Sequence, residues 1–482
     1  MLEKNRVFPV KNNEDDILII SDSKIPLPIL DQLETYIDSS LETKIVNRSI
    51  LNDLFETYLR QEQDTVDGML ENIDSNQLEK YINLNIDQEV DDLEQLAQEA
   101  PIIKLVNLIL TNAIKKNASD IHLEPVSDSI KLRYRIDGIL YDQPAPPKTL
   151  LPAITTRIKI MANLNIAERR LPQEGRMRIK ISGRELDIRV SIIPNIFGEG
   201  IVLRILDRSE ELLDLSNLGF KDKMLQVYQQ KIKSAHGIIL VTGPTGSGKT
   251  TTLYATLNHL NSSQKKIITI EDPVEYQLNG ITQVPVKPEL DFTFASGLRS
   301  FLRHDPDIIM VGEIRDEETA RIAIRAALTG HLVFATLHTN NTIGAITRLL
   351  DMGIEEYLLA STLEVIMAQR LVRVICSQCK EKYVPESEEL KFVGDNDINN
   401  NSFYHGSGCK SCNQVGYKGR TGVYEFLPVD SGLQNLIADG KEIETIKNKV
   451  KQKGIKSLQE NGLAKVKSGI TTIKEIMKIT RN

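Results

Sequence analysis

Residues 237–257 read GIILVTGPTGSGKTTTLYATL: an apolar run, a glycine-rich turn, then a helical pattern. No other stretch constrains the fold as tightly. The turn follows Gly243-x4-Gly248-Lys249-Thr250. Glycines there let the backbone wrap closely round a phosphate with several N–H groups pointing inward, and the start of the following helix adds its positive dipole end. Gly243, Pro244, Thr245, Gly246, Ser247, Gly248, Lys249, Thr250 and Thr251 are the expected nucleotide-binding set. Lys249 would reach the β- and γ-phosphates, and Thr250 would ligate Mg²⁺. A strand entering the turn and a helix leaving it commit this part of the chain to an α/β fold.

Three further apolar strands carry chemistry at their ends. Ile267–Ile270 runs into Glu271, Asp272 and Glu275. Acids at the C-terminal edge of such a strand lie where ligands bind in open α/β sheets, which suggests Mg²⁺ or water positioning, although helix caps and solvated acids look the same in sequence. Ile308–Gly312 ends at Glu313. An apolar strand closing on an acid is the usual partner of a phosphate loop, so Glu313 is the expected catalytic base. The fourth strand, Leu332–Leu337, is bracketed by His331 and His338. His338 closes the strand on the same edge as the acids and ranks above His331; single histidines are more often structural than catalytic.

Elsewhere the pattern divides the chain. Residues 1–60 mix apolar patches (Ile17–Ile20; Leu51, Leu54, Phe55, Tyr58, Leu59) with polar stretches and read as a small α/β domain. Residues 61–100 hold twelve acids against the single Lys80, and read as an acidic linker. From Pro101 a dense apolar recurrence predicts a buried helix (Ile102, Ile103, Leu105, Val106, Leu108, Ile109, Leu110). Strand patterns follow: IKLRYRI at 130–136 before the hairpin signal Asp137-Gly138, and the alternation Leu186, Ile188, Val190, Ile192 against Glu185, Asp187, Arg189, Ser191. The expected domains are 1–60, a linker at 61–100, an α/β domain at 101–210, and a nucleotide-binding domain at 211–482.

Four cysteines form two pairs, Cys376-x2-Cys379 and Cys409-x2-Cys412. Too few and too clustered for a disulfide framework, they have the spacing of a tetrahedral zinc site. Four thiolates leave no position for a reacting water, so the 376–412 insert is expected to be structural. With no long apolar run and a charged start, the chain is expected to be cytosolic.

Together GPTGSGKTTTLYATL, ITIEDPVEY, DPDIIMVGEIRDEETA and TGHLVFATLHTN resemble the secretion ATPases that power type II secretion, type IV pili and competence pseudopili, with weaker similarity from about Pro101 to the end. The resemblance implies a RecA-like P-loop ATPase domain, a preceding PAS-like α/β domain, a small N-terminal docking domain and a tetracysteine zinc subdomain. It makes Glu271, Asp272 and Glu275 an aspartate box, Glu313 a general base, and His331 and His338 a histidine box. Arg189 in DIRVS and Arg204 in VLRIL would reach the nucleotide from the PAS-like domain, with Arg176 a weaker candidate. Guanidinium groups there would neutralise charge spread over the γ-phosphoryl oxygens. A homo-hexamer using ATP, Mg²⁺ and Zn²⁺ is implied, peripherally attached to the inner membrane through the cytoplasmic domain of a secretion-complex protein and an inner-membrane platform protein.

Two other readings use the same core. A nucleic-acid translocase would show a basic groove or interleaved aromatics, yet aromatics are 5% of the chain and its net charge is −7. Most of that charge is the linker's: its −11 leaves +4 for the rest (−7 + 11), so motifs rather than net charge argue against nucleic acid. A nucleotide-binding scaffold without hydrolysis is the other. Within the family, LLDMGIEEYLLAS favours the secretion branch over pilus assembly or competence.

Overall fold

A computed structural model describes residues 6–11, 17–26, 29–30, 33, 42–48 and 50–51, then 90–181, 184–207, 214–394 and 402–480. The expected linker at 61–89 and the apolar residues Leu54, Phe55, Tyr58 and Leu59 lie outside these. The chain forms two compact units, Met1–Ile205 and Leu206–Asn482. No helix among the described residues is long and apolar enough to cross a membrane.

The first unit contains a small sheet of order β1 (Val7–Lys11), β2 (Ile17–Ser21), β3 (Glu42–Ile45). The last part of the expected linker is folded, because Val90–Ala97 is helical and buries Leu93 and Ala97. Next comes the predicted apolar helix, Ala100–Lys115, with Pro101 in its first turn, where a missing N–H costs nothing. It packs with the helix Leu151–Ala162 on a six-stranded sheet of order β6 (Ile139–Gln143), β5 (Ile130–Ile136), β4 (Ala118–Pro125), β9 (Gly198–Asp207), β8 (Arg184–Asn195), β7 (Gln173–Ile181). Asp137 and Gly138 both have positive φ, 48° and 86°, and Ile136 pairs with Ile139, so the predicted hairpin closes on a two-residue turn. Leu186, Ile188, Val190 and Ile192 all face the core.

The second unit is built on a seven-stranded sheet of order β12 (Thr282–Pro285), β11 (Ile267–Glu271), β13 (Ile308–Val311), β14 (Leu332–Leu337), β10 (Gly237–Thr242), β15 (Leu363–Ile375), β18 (Tyr417–Pro428). Neighbours run parallel from β12 to β15, and only β18 is antiparallel. Strands buried on both faces need continuous apolar runs, which explains why β10, β13 and β14 are buried throughout. Because β10, β11, β13 and β14 are parallel, their C-terminal ends share one edge.

Past that core, β15 continues into the cysteine insert, whose ribbon pairs β16 (Lys380–Tyr383) with β17 (Phe403–Gly406). The last helix, Ile473–Thr480, is tied to β15 by a buried ion pair: Glu475 accepts from Arg373 Nη2 (2.8 Å) and from the Arg373 N–H (3.1 Å), while the guanidinium lies over the Tyr417 ring. Burial raises the Glu475 pKa, but the Arg373 and Lys478 hydrogen bonds outweigh it and hold the carboxyl below its ordinary range. A depressed carboxyl contributes stability above its unfolded pKa and loses it as pH falls through the folded value. E475A, leaving a buried guanidinium uncompensated, should cost about 3 kcal/mol in urea unfolding near neutrality. The gap between variant and wild type should close in acid, below the ordinary carboxylate pKa; a pH-independent gap would assign the loss to packing.

Candidate active site

The phosphate loop joins β10 to the helix Lys249–Leu260, and its shape requires glycine at two places. Gly243 (φ 154°) has no room for a side chain, since a Cβ would lie 2.5 Å from the Gln369 carbonyl and 2.6 Å from Ser247 Oγ. Gly248 combines a positive φ of 83° with a would-be Cβ 2.9 Å from Gln369 Nε2. The Ser247 hydroxyl is buried with no hydrogen-bond partner among the described residues. A loop held close by glycines at 243 and 248, with one buried unpartnered hydroxyl and a helix N-terminus behind it, fits a phosphate. Thr250 is exposed at that helix start and Thr251 half-buried, so Thr250 is free to meet a cation.

Lys249 donates to the carbonyls of Gly243 (2.7 Å) and Pro244 (3.1 Å). Burial, its main perturbation, pushes its ammonium down to about 8; Glu313 opposes this and Arg370 adds to it. Glu313 stands just past β13, where Ile314 N bonds Thr336 O of β14 (2.9 Å) and Thr336 Oγ1 bonds Gly312 O (2.5 Å). Its Oε2 lies 3.3 Å from His338 Nε2, and its Oε1 accepts from Arg315. Arg315 also approaches Asp272 (3.7 Å). Burial, followed by the Lys249 charge, depresses the His338 imidazole below its ordinary value, so it is neutral near pH 7 and donates Nε2–H to Glu313. Lys249, Glu313, His338, Arg315 and Asp272 thus gather on the edge where the parallel strands end.

Three expected members stand apart. Glu271 is the last residue of β11 and is 3% exposed, turned into the unit. It accepts from Tyr254 Oη, from Thr269 Oγ1 (2.5 Å) and from Gln283 Nε2 (3.2 Å), and burial raises its pKa. With both oxygens committed inside the protein, it braces β11, β12 and the helix of the phosphate loop rather than facing a cation. Glu275 sits beside the same tyrosine, its N–H 3.4 Å from Tyr254 Oη. His331 precedes β14, with Nδ1 2.9 Å from the Ala326 carbonyl. A six-residue strand, about 20 Å long, separates it from His338, so it lies at the opposite edge of the sheet.

Arg176, Arg189 and Arg204 belong to the first unit. Arg176 and Arg189 face each other across β7 and β8. Arg204 Nε meets Asp120 Oδ1 at 2.9 Å, and Arg135 approaches the other oxygen of that buried carboxylate at 3.5 Å. Sequence reading missed Arg315, Tyr254, Gln283 and Gln369. Arg315, two residues after the expected base, had a local signal; the others meet their partners only through the fold.

Cys376, Cys379, Cys409 and Cys412 converge at the root of the β16–β17 ribbon, with Sγ–Sγ distances of 3.8, 3.8 and 3.7 Å between 376 and 409, 379 and 412, and 409 and 412. Four thiolates on a tetrahedral metal with bonds of about 2.3 Å stand about 3.8 Å apart. Burial raises the Cys379 thiol, whereas at Cys412 the Cys409 and Gly416 N–H groups outweigh burial and lower it, so Cys412 is the readier thiolate of the two.

Residues 95–478 match the family model described as Type II/IV secretion system protein. The chain is 48% identical over 391 residues to the type II secretion system ATPase E of Vibrio cholerae, covering 81% of this chain and 78% of that protein. It is 42% identical over 480 residues to the type IV pilus assembly ATPase PilB of Myxococcus xanthus, covering 98% and 84%. Among solved structures it resembles the pilus retraction motor PilT with bound ADP (26% identity, TM-score 0.54, 78% of this chain and 96% of that one). The Legionella pneumophila ATPase DotB shares the fold (21%, TM-score 0.60, 78% and 95%). With a glycine-lined phosphate loop, an acid at the end of β13 and a match that runs through both, the chain belongs to the type II/IV secretion system protein family.

Proposed function

We propose that the chain is an ATP hydrolase that powers pseudopilus assembly and protein export through a type II secretion system. The observation that carries the chemistry is the gathering of Lys249, Glu313 and His338 at one sheet edge, beside a loop shaped for phosphate. Loop N–H groups and Lys249 hold the β- and γ-phosphates. Glu313 takes the proton of a water whose oxygen attacks the γ-phosphorus, the bond to the β–γ bridging oxygen breaks, and ADP leaves. His338, neutral and donating to Glu313, orients that carboxylate. Mg²⁺, which Thr250 would hold, neutralises phosphate charge when bound. Zn²⁺ is the metal that fits the four thiolates. Arg189 and Arg204 are candidates to add positive charge at the γ-phosphate, and a hexamer docked on inner-membrane partners through its N-terminal region is the assembly this function requires.

Pilus assembly is the second reading, favoured by one observation: the match to the pilus ATPase spans 98% of the chain, whereas that to the Vibrio secretion ATPase spans 81%. Complementation of a secretion mutant but not a pilus mutant supports the first reading, and the reverse result the second. Turnover indifferent to added DNA would set a translocase aside.

In E313Q, phosphate release should fall at least about a hundredfold while ATP still binds; unchanged release would remove Glu313 as the base. K249A should weaken binding and turnover together. Lys249 also makes a pH prediction. Above pH 8 the free ammonium has lost its proton, and phosphate favours the charged form, so ATP binding should take up protons at about pH 9 and hardly any at about pH 6.5. Calorimetry in buffers of different ionisation enthalpy measures this, and equal uptake at both values would contradict the assignment. Elemental analysis should find one zinc per chain, lost together with thermal stability in C379S and C412S; metal-free wild type of full stability would refute the zinc site.

A further inference from the structure

Strand β15 extends past the end of β10. Its Ala368 pairs with Thr242, the last residue of β10, so the next two residues meet the phosphate loop on that side, while on the other they pair with Tyr424 and Val423 of β18. Gln369 is used structurally, accepting from Thr252 Oγ1 (2.9 Å) and packing under Gly248. Arg370 is in a different position. It is 7% exposed, and its Nη1 lies 3.1 Å from where a Cβ on Gly243 would be. Nη1 donates to the Gln369 carbonyl (3.1 Å), and Nη2 donates to the carbonyl (3.3 Å) and Oδ1 (3.1 Å) of Asn340, two residues beyond His338.

Every one of these acceptors is neutral. Arg370 forms no ion pair among the described residues. The carboxylate whose charge reaches it, Glu425, is committed to the N–H and hydroxyl of Thr342 (2.8 and 2.5 Å). The next cation, Lys249, is disfavoured by the Arg370 charge. A buried guanidinium with no carboxylate paired to it is unfavourable, and a second cation at the same loop adds to the cost. What the arrangement lacks is an anion, on the side where the loop would hold one.

We propose that Arg370 is a positioning residue whose counter-charge is the polyphosphate of the bound nucleotide. Through Gly243 on one side and Asn340 on the other, it makes occupancy of the phosphate loop and the placement of the loop behind His338 a single event. The inference rests on reading this site as an ATP site, and it adds a link by which binding reaches the residue that orients the base. Arg370 acts through the loop and its field, not by contact with the reacting atoms.

The test compares full-length wild type, R370M and R370K in thermal unfolding with and without Mg²⁺ and a non-hydrolysable ATP analogue, alongside steady-state kinetics. R370M removes the uncompensated charge, so without nucleotide its Tm should equal or exceed that of wild type, while its nucleotide-induced rise in Tm shrinks. Its KM for ATP should increase about tenfold, as for loss of a charged interaction, with a smaller fall in kcat. R370K keeps the charge but cannot span both acceptors, and should recover part of the nucleotide-induced rise. A drop in Tm of equal size in both states, with KM unchanged, would make Arg370 a structural cation and overturn the inference. Should R370M fail to fold, R370K alone decides: an undiminished nucleotide-induced rise and unchanged KM overturn the proposal, and a reduced rise with higher KM supports it. If wild type itself gains nothing from the nucleotide, the ATP reading fails first and the inference with it; a wild-type gain fully retained in R370M sinks the inference alone.

Discussion

The phosphate loop can take its shape only because it rests on β15. The Gln369 carbonyl and amide occupy the space where side chains on Gly243 and Gly248 would project, so loop and strand are matched at the level of single atoms. That strand is thirteen residues long and also carries, further on, the antiparallel β18, the Arg373 anchor of the last helix, and the route into the cysteine insert. A displacement of β15 by a fraction of an ångström would reach the loop directly, since close-packed neighbours have no slack. The C-terminal elements therefore belong to the nucleotide site mechanically, although none carries a phosphate-binding motif.

The cysteine cluster lies at the same junction. The cysteine pairs sit where β15 ends and β18 begins, and the Cys376 N–H bonds the Gly416 carbonyl across that gap (3.0 Å). Thiolates on a shared metal would fasten the two strand ends without needing a hydrophobic core of their own, which a short ribbon such as β16–β17 cannot supply. The insert is thus a clasp on the strand pair that supports the loop.

What could be read in the sequence follows a physical division. Signals that depend on neighbours along the chain were legible: the glycine turn between strand and helix, the Asp137-Gly138 hairpin, the alternation of β8, the cysteine spacing, and Glu313 at a strand end. Signals that depend on what the fold brings up from elsewhere were not. Glu271 ends its strand as an active-site acid would, but Tyr254 from the loop helix and Gln283 from β12 turn it inward. His331 and His338 flank one strand symmetrically in sequence, yet a parallel sheet gives its two edges opposite roles, and only the C-terminal edge faces the phosphate loop. The acids at 91–99 suggested a tether, but Leu93 and Ala97 between them find a core.

The charges at the site form one connected set. Glu313 has one oxygen on the Arg315 guanidinium and the other facing neutral His338. Lys249 is engaged as well, on carbonyls of its own loop. Those carbonyls are neutral, so on the proposed reading an arriving triphosphate competes for Lys249 on favourable terms. On the proposed reading His338, which burial and the same Lys249 charge keep neutral, orients the Glu313 carboxylate without competing for the proton of the attacking water.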